Sequence, residues 1–232
     1  MNIAIVLSGG NGTRTGLDMP KQYIKVGGRM IISYCLLSLF SHEKIDGIVI
    51  VANPDYQDPI KEAIDNEVPS EYKNKFIGFA NPGENRQLSI YSGLLALKDK
   101  ASCEDTVFIH DAARPNLSAQ MISSCIDGME GFDGVLPVLP MKDTVYYSDN
   151  GTSISSLVDR SKIYAGQAPE AFLYGKYMAA NEALLPDKIL VIKGSTEPAI
   201  MAGMNIKMID GDENNYKITT LNDLEKFRGE HR

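Results

Sequence analysis

Short apolar runs recur along this chain with room for a helix between them, and that alternation constrains its fold more than any other feature. Strands are expected at residues 3–7, 47–51, 76–79, 106–110 and 134–139, with two later ones at 189–192 and 206–209. Fully apolar runs of this length, bounded by Gly, Pro or Asp, suit strands covered on both faces. Helical spacing fills the gaps at residues 31–41, 59–66, 85–98 and 118–129; the last sets Met121, Ile122, Cys125, Ile126 and Met129 on one face. Strands alternating with helices imply an α/β chain with a doubly wound, mostly parallel sheet. Ligands of such sheets bind beyond the carboxyl ends of the strands.

Residues 141–163 break the pattern. Val145-Tyr146-Tyr147 and Leu157-Val158 flank an Asp149-Asn150-Gly151 turn, a hairpin signal. A two-stranded ribbon is marginal alone in water, so this one either folds back on its own domain or embraces another surface. There are no internal repeats, low-complexity tracts or linkers, so residues 1–232 are read as one domain.

A chain of 232 residues can bury a full core without disulfides or metals. A net charge of −7 argues against bulk nucleic-acid binding. Cys35, Cys103 and Cys125 lack C-x-x-C spacing and lie in apolar surroundings, so buried reduced thiols are expected rather than a disulfide framework or a zinc site. With no signal peptide and no apolar run of about 18–20 residues, the expectation is a soluble, cytoplasmic protein without membrane contact.

The first strand runs into Ser8-Gly9-Gly10-Asn11-Gly12-Thr13-Arg14, and Pro20-Lys21-Gln22 follows. Bare backbone N–H groups in such a loop can approach an anion, and Arg14 and Lys21 add positive charge suited to a polyphosphate. The loop is neither a Walker A motif nor the dinucleotide fingerprint, because Thr15 stands where the third glycine belongs. The bland alternatives are a tight strand-to-helix turn for the loop and a solvated lysine for Lys21. Asp111, at a strand end in the same crevice, offers an oxygen ligand for magnesium, or alternatively a helix N-cap. His110 reads as a packing or orienting residue, and Arg114 as one that fixes its loop.

The chain resembles the CTP-dependent polyol-phosphate cytidylyltransferases, a family that includes the 2-C-methyl-D-erythritol 4-phosphate and ribitol 5-phosphate enzymes. The resemblance runs nearly end to end on ordered motifs: Gly10-x-Gly12-x-Arg14 with Pro20-Lys21-Gln22-Tyr23, Gly83-x-x-Arg86-x-x-Ser89, and His110-Asp111-Ala112-Ala113-Arg114-Pro115. Asp143-Thr144, Val158-Asp159-Arg160, and Asn215-Tyr216-Lys217-Ile218-Thr219-Thr220 with Asp223-Leu224 complete the set. It implies a Rossmann-like fold with a protruding hairpin arm, and transfer of CMP from CTP to a polyol phosphate with loss of pyrophosphate. It assigns catalysis to Arg14, Lys21 and Lys217. Nucleotide binding falls to Ser8, Gly9, Gly10, Gly12, Gly83, Glu84, Arg86, Ser89 and Asp111, with Asp111 also the ligand of Mg2+. Acceptor binding falls to Thr144, Arg160 and Thr196. It favours the embracing arm, hence a homodimer whose Thr144 and Arg160 serve the neighbour's site.

Departures from the family pattern bear on the acceptor. Ala168-Pro169-Glu170 stands where the family usually has Thr-Pro-Gln, and Thr196-Glu197 where it has Thr-Asp. Ser8-Gly9-Gly10 replaces the Ala-Ala-Gly of many methylerythritol enzymes, whereas the His110–Pro115 motif looks more like that branch. Methylerythritol 4-phosphate therefore leads, with ribitol 5-phosphate or another capsule-type polyol phosphate as alternative. A sugar-1-phosphate nucleotidyltransferase shares the glycine loop, but Pro20-Lys21-Gln22 and the 215–219 motif speak against it. A nucleotide-binding protein without turnover is the non-enzyme reading.

Overall fold

The computed structural model describes residues 1–10 and 19–231. Its first strand, β1 (Asn2–Leu7), sends Ala4 and Val6 to one face and Ile3 and Ile5 to the other, each into a separate core. That period of two on a strand buried on both sides is what the apolar run dictates.

After a small ribbon, β2 (Lys25–Val26) with β3 (Arg29–Met30), the chain alternates. Helix α1 (Ile31–Ser41) leads to β4 (Gly47–Val51), α2 (Pro54–Glu67) to β5 (Phe76–Ala80), and α3 (Arg86–Leu95) to β6 (Thr106–Asp111). Then come α4 (Ala119–Asp127), β7 (Gly134–Pro140), and the hairpin of β8 (Val145–Tyr147) and β9 (Ser156–Val158). The chain closes with β10 (Tyr164–Gly166), β11 (Glu170–Leu173), α5 (Tyr174–Glu182), α6 (Glu197–Met201), β12 (Ile206–Asp210) and α7 (Leu221–Glu230). The main sheet runs β10-β7-β11-β6-β1-β4-β5, with β12 also on β7. Strands β5, β4, β1, β6, β7 and β12 are parallel, while β11 lies antiparallel between β6 and β7.

One core holds Leu36, Phe40, Ile50, Phe108 and Ile122; the other holds Ile5, Val49, Ile90, Phe172 and Tyr177. The helices thus cover both faces, and each fully buried aliphatic or aromatic side chain contributes about 1.5–3 kcal/mol. A third cluster, with Ile31, Ile218, Leu224 and Phe227, fixes α7 against the start of α1. Among the described residues no helix is long and apolar enough to cross a membrane.

Three expectations need correction. Residues 189–192 are not a strand: Lys188–Val191 forms a 3₁₀ helix. Only Ile189 of that helix is buried, with Leu190 and Val191 exposed, and the Asn85 amide binds the carbonyls of Ile189 and Leu190 at 3.1 and 3.2 Å. A strand between two helical layers would bury both faces and place those carbonyls in a ladder. Cys103 is exposed in a turn, whereas Cys35 and Cys125 are buried, where desolvation pushes each thiol up to about 12. Asp111 is no helix cap; it ends β6, and the next helix, α4, is capped by Ser118.

The hairpin protrudes as expected. Among the described residues, strands β8 and β9 pair only with each other, and Tyr146, Tyr147, Ile154 and Leu157 are 54–68% exposed. At its tip Asn150 Oδ1 accepts from the N–H groups of Thr152 and Ser153, both at 2.9 Å, and Gly151 adopts a φ of 72°. Those four exposed side chains are not folded back on the sheet, while Val145 and Val158 at the base are half-buried.

Candidate active site

Strands β1 and β6 are neighbours in parallel register, Leu7 opposite Asp111, so the loops that follow them open into one crevice. A cavity of about 380 Å³ lies there. Gly9, Gly10, Lys21, Gly83, Glu84, Arg86, Ser89, Asp111 and Lys217 line it, together with Gln22, Asn85 and Ala113. Most residues expected at the nucleotide site are thereby gathered from five separate stretches of sequence.

Close backbone approach explains the glycines. A Cβ on Gly9 would stand 2.3 Å from Pro82 Cβ, and one on Gly83 would stand 2.3 Å from Leu88 Cβ. A side chain at Gly9 would push apart the loops after β1 and β5, and one at Gly83 would collide with the first turn of α3. Opposite, α3 begins at the cavity. Asn85 caps it, accepting from Leu88 N at 2.7 Å, so the positive end of a ten-residue helix faces the site. Ser89 braces the same loop, accepting from Gly83 N at 3.1 Å and donating to Asn85 O at 2.9 Å.

Asp111 is the electrostatic centre. Its Oδ1 accepts from Arg86 Nε and Nη2 at 3.3 and 3.1 Å, and its Oδ2 lies 3.0 Å from Lys217 Nζ and 3.5 Å from Arg114 Nε. Burial alone would push this carboxyl up, but the three cations outweigh it and hold Asp111 far below the usual carboxylate range. Lys217 is delivered by backbone docking: Ile218 N donates to Ala113 O at 2.8 Å, and Arg114 Nη1 donates to Asn215 O at 2.8 Å. Arg114 thus fixes its loop, as expected. His110 is fully buried and donates from Nε2 to Arg114 O at 3.0 Å; burial pushes its imidazole down to about 4. It orients the 111–114 turn as a neutral ring.

Sequence reading missed the layer behind Arg86. Arg86 Nη1 donates to Ser195 Oγ at 2.7 Å, and Nη2 is 3.9 Å from Glu170 Oε1. Glu170, buried at the head of β11, accepts from the Ser195 hydroxyl and from Thr196 Oγ1. Burial pushes Glu170 up, against the pull of Arg86 and the two hydroxyls. The odd carboxylate at position 170 was the available signal, and Ser195 carried none. Glu197 does not reach this cluster; it accepts from Lys193 N at 2.9 Å and shapes its own turn.

The remaining assignments separate from the cavity. Ser8 is buried beside it with its hydroxyl on Tyr23 Oη at 2.9 Å. Thr196 is buried on Glu170, while Thr144 and Arg160 sit exposed on the arm, Arg160 donating to Lys142 O at 2.6 Å. Gly12 and Arg14 lie outside the described residues. Among the described residues no three His, Cys, Asp or Glu side chains form a metal-ligating group.

The model of the 2-C-methyl-D-erythritol 4-phosphate cytidylyltransferase family matches residues 2–228. The chain is 32% identical over 224 residues to the 2-C-methyl-D-erythritol 4-phosphate cytidylyltransferase of Geobacillus thermodenitrificans, covering 95% of this chain and 92% of that protein. It is also 32% identical over 221 residues to a bifunctional IspD/IspF enzyme of Mesorhizobium japonicum, where it covers 95% of this chain but spans about half, 52%, of the relative. The crystal structure of a 4-diphosphocytidyl-2C-methyl-D-erythritol synthase from Anaerococcus prevotii superposes with a TM-score of 0.85, covering 99% of this chain and 95% of that one at 24% identity. That likeness shows the fold.

Proposed function

The chain belongs to the 2-C-methyl-D-erythritol 4-phosphate cytidylyltransferase family, and from that premise we propose that it transfers CMP from CTP to 2-C-methyl-D-erythritol 4-phosphate. An acceptor phosphate oxygen attacks the α-phosphorus, the α–β bridging bond breaks, and pyrophosphate leaves with that electron pair. The observation that carries the reading is the cavity itself, where Lys21, Arg86 and Lys217 converge on glycine backbone and a helix start. Charge repulsion is the main obstacle to this reaction, so the protein's part is positioning and electrostatic stabilisation. Lys21 and Lys217 stabilise the crowded α-phosphate, with Arg14 as third cation. The Gly9–Gly10 and Gly83 edges hold the triphosphate and base, and Arg86 sets the cavity wall.

Asp111 fits a Mg2+ site of the kind that uses one carboxylate and completes its shell with substrate phosphates and water. It stays ionised and lines the cavity, and a metal there would share its two oxygens with Arg86, Lys217 and Arg114. Bound there, the metal would neutralise triphosphate charge. The acceptor residues Thr144 and Arg160 lie on a hairpin whose exposed apolar side chains need a covering surface, which supports a homodimer with shared sites. We read residues 1–232 as one cytoplasmic nucleotidyltransferase unit.

The test is pyrophosphate release from CTP with 2-C-methyl-D-erythritol 4-phosphate, ribitol 5-phosphate and a sugar 1-phosphate as acceptors, with and without Mg2+. Selective turnover of the methylerythritol substrate in Mg2+ is expected. Release with another acceptor alone would overturn the substrate, and none with any acceptor would overturn the activity.

A further inference from the structure

Two backbone carbonyls border an anion pocket, that of Gly10, which lines it, and that of Ser8, buried beside it, and their negative ends would repel a polyphosphate. Both are taken by a single side chain. Gln22 Nε2 donates to Ser8 O at 2.8 Å and to Gly10 O at 2.8 Å. A primary amide nitrogen carries two N–H groups, and Gln22 uses both on carbonyls two residues apart. Ser8 O also accepts from Tyr23 Oη at 2.7 Å, and the Tyr23 ring stacks on Tyr56 with centroids 4.0 Å apart. Gln22 is 4% exposed and lines the cavity. It lies in the 3₁₀ turn Lys21–Tyr23, so the turn that carries Lys21 into the cavity also holds Ser8 and Gly10.

We propose that Gln22 is a positioning residue for the nucleotide: its amide draws the carbonyls of Ser8 and Gly10 away from the triphosphate and fixes Ser8–Gly10 in register with Lys21. This rests on the CTP-dependent reading above. Only an uncharged double donor fits the place. A carboxylate would face two carbonyl oxygens and add negative charge to an anion site. An apolar side chain of equal length would leave both carbonyls without this partner.

The experiment compares wild type, Gln22→Glu and Gln22→Met by calorimetric titration with CTP and by steady-state CMP transfer. Losing the donor pair should weaken CTP binding about tenfold in Gln22→Met, and further in Gln22→Glu, while KM for the acceptor phosphate stays at the wild-type value. Wild-type CTP affinity in both variants would overturn the proposal. So would KM values for both substrates rising together, or neither variant folding, since Gln22 would then serve the fold alone. If only Gln22→Glu misfolds, the Met variant decides. A wild-type protein that binds CTP but transfers nothing would overturn the catalytic reading, leaving the clamp to be judged on the titrations.

Discussion

Replacing Asp111 by asparagine removes the one negative charge around which Arg86, Arg114 and Lys217 gather at 3.1, 3.5 and 3.0 Å. At an effective dielectric constant of about 20, each contact is worth roughly 5 kcal/mol before desolvation offsets it. Breaking a buried pair by removing one partner costs about 3–5 kcal/mol net. The Arg86 and Lys217 side chains are 33% and 32% exposed, so water can take up part of their charge, which places the cost near the lower end, about 3 kcal/mol. In a chain of this size that lowers the melting temperature by roughly 6–12 °C. The same substitution leaves Lys217 and Arg114 without their carboxylate and Arg86 with only the more distant Glu170, at 3.9 Å. Inorganic pyrophosphate, added in chelator, should therefore stabilise Asp111→Asn more than it stabilises the parent. Scanning calorimetry at neutral pH with and without pyrophosphate reads both effects. A variant melting with its parent, or a parent gaining more from pyrophosphate, would refute the account of Asp111 as the internal counterion.

Burial pushes His110 down to about 4, so the unfolded chain takes up this proton as pH falls through about 6.5 and the folded chain does not. Stability should fall by roughly 3 kcal/mol from about pH 6.5 to pH 4 through this group, and His110→Asn should flatten that limb in urea unfolding; an unchanged slope rejects the assignment. Lys21→Ala should keep the fold and lose most of kcat, because the change removes a cation from the transition state; near-normal kcat would make Lys21 a bystander. Mixing inactive Lys21→Ala with inactive Arg160→Ala should restore partial activity if the arm serves a neighbouring subunit. A monomer in solution, or no recovery after proven subunit exchange, would sink the shared site.

Legibility followed the physics of each segment. Strands β1, β4 and β6 are buried on both faces and announce themselves as unbroken apolar runs. Strand β11 was not readable: it opens on Glu170 after Pro169, lies antiparallel, and its burial depends on neighbours distant in sequence. The 189–192 run misled because its β-branched residues favour a strand, whereas the Asn85 amide, distant in sequence, takes two of its carbonyls and only Ile189 of the 3₁₀ helix is buried. In the site, Lys21 and Asp111 could be read as charges following or ending a strand at a phosphate crevice, whereas Arg86 and Lys217 were legible only through the family motifs that hold them. Ser195 could not, and Glu170 stood out only as a departure from the family pattern, because the part each plays is defined by Arg86 and not by local pattern.

The arm has a closed neck. Strand β7 ends at Pro140 and the chain returns as β10 directly beside it, Tyr164 opposite Pro140, with Met141 N bonded to Ile163 O at 3.1 Å. Everything between those two points is, to the sheet, a detour that begins and ends at the same place. A loop closed this way costs only slowly more entropy as it lengthens, so residues can be added to the hairpin or altered along it without shifting the ladder that carries Glu170 and Asp111. Partner choice and acceptor contacts, if they reside on the hairpin, can therefore diverge in evolution while the nucleotide half keeps its geometry.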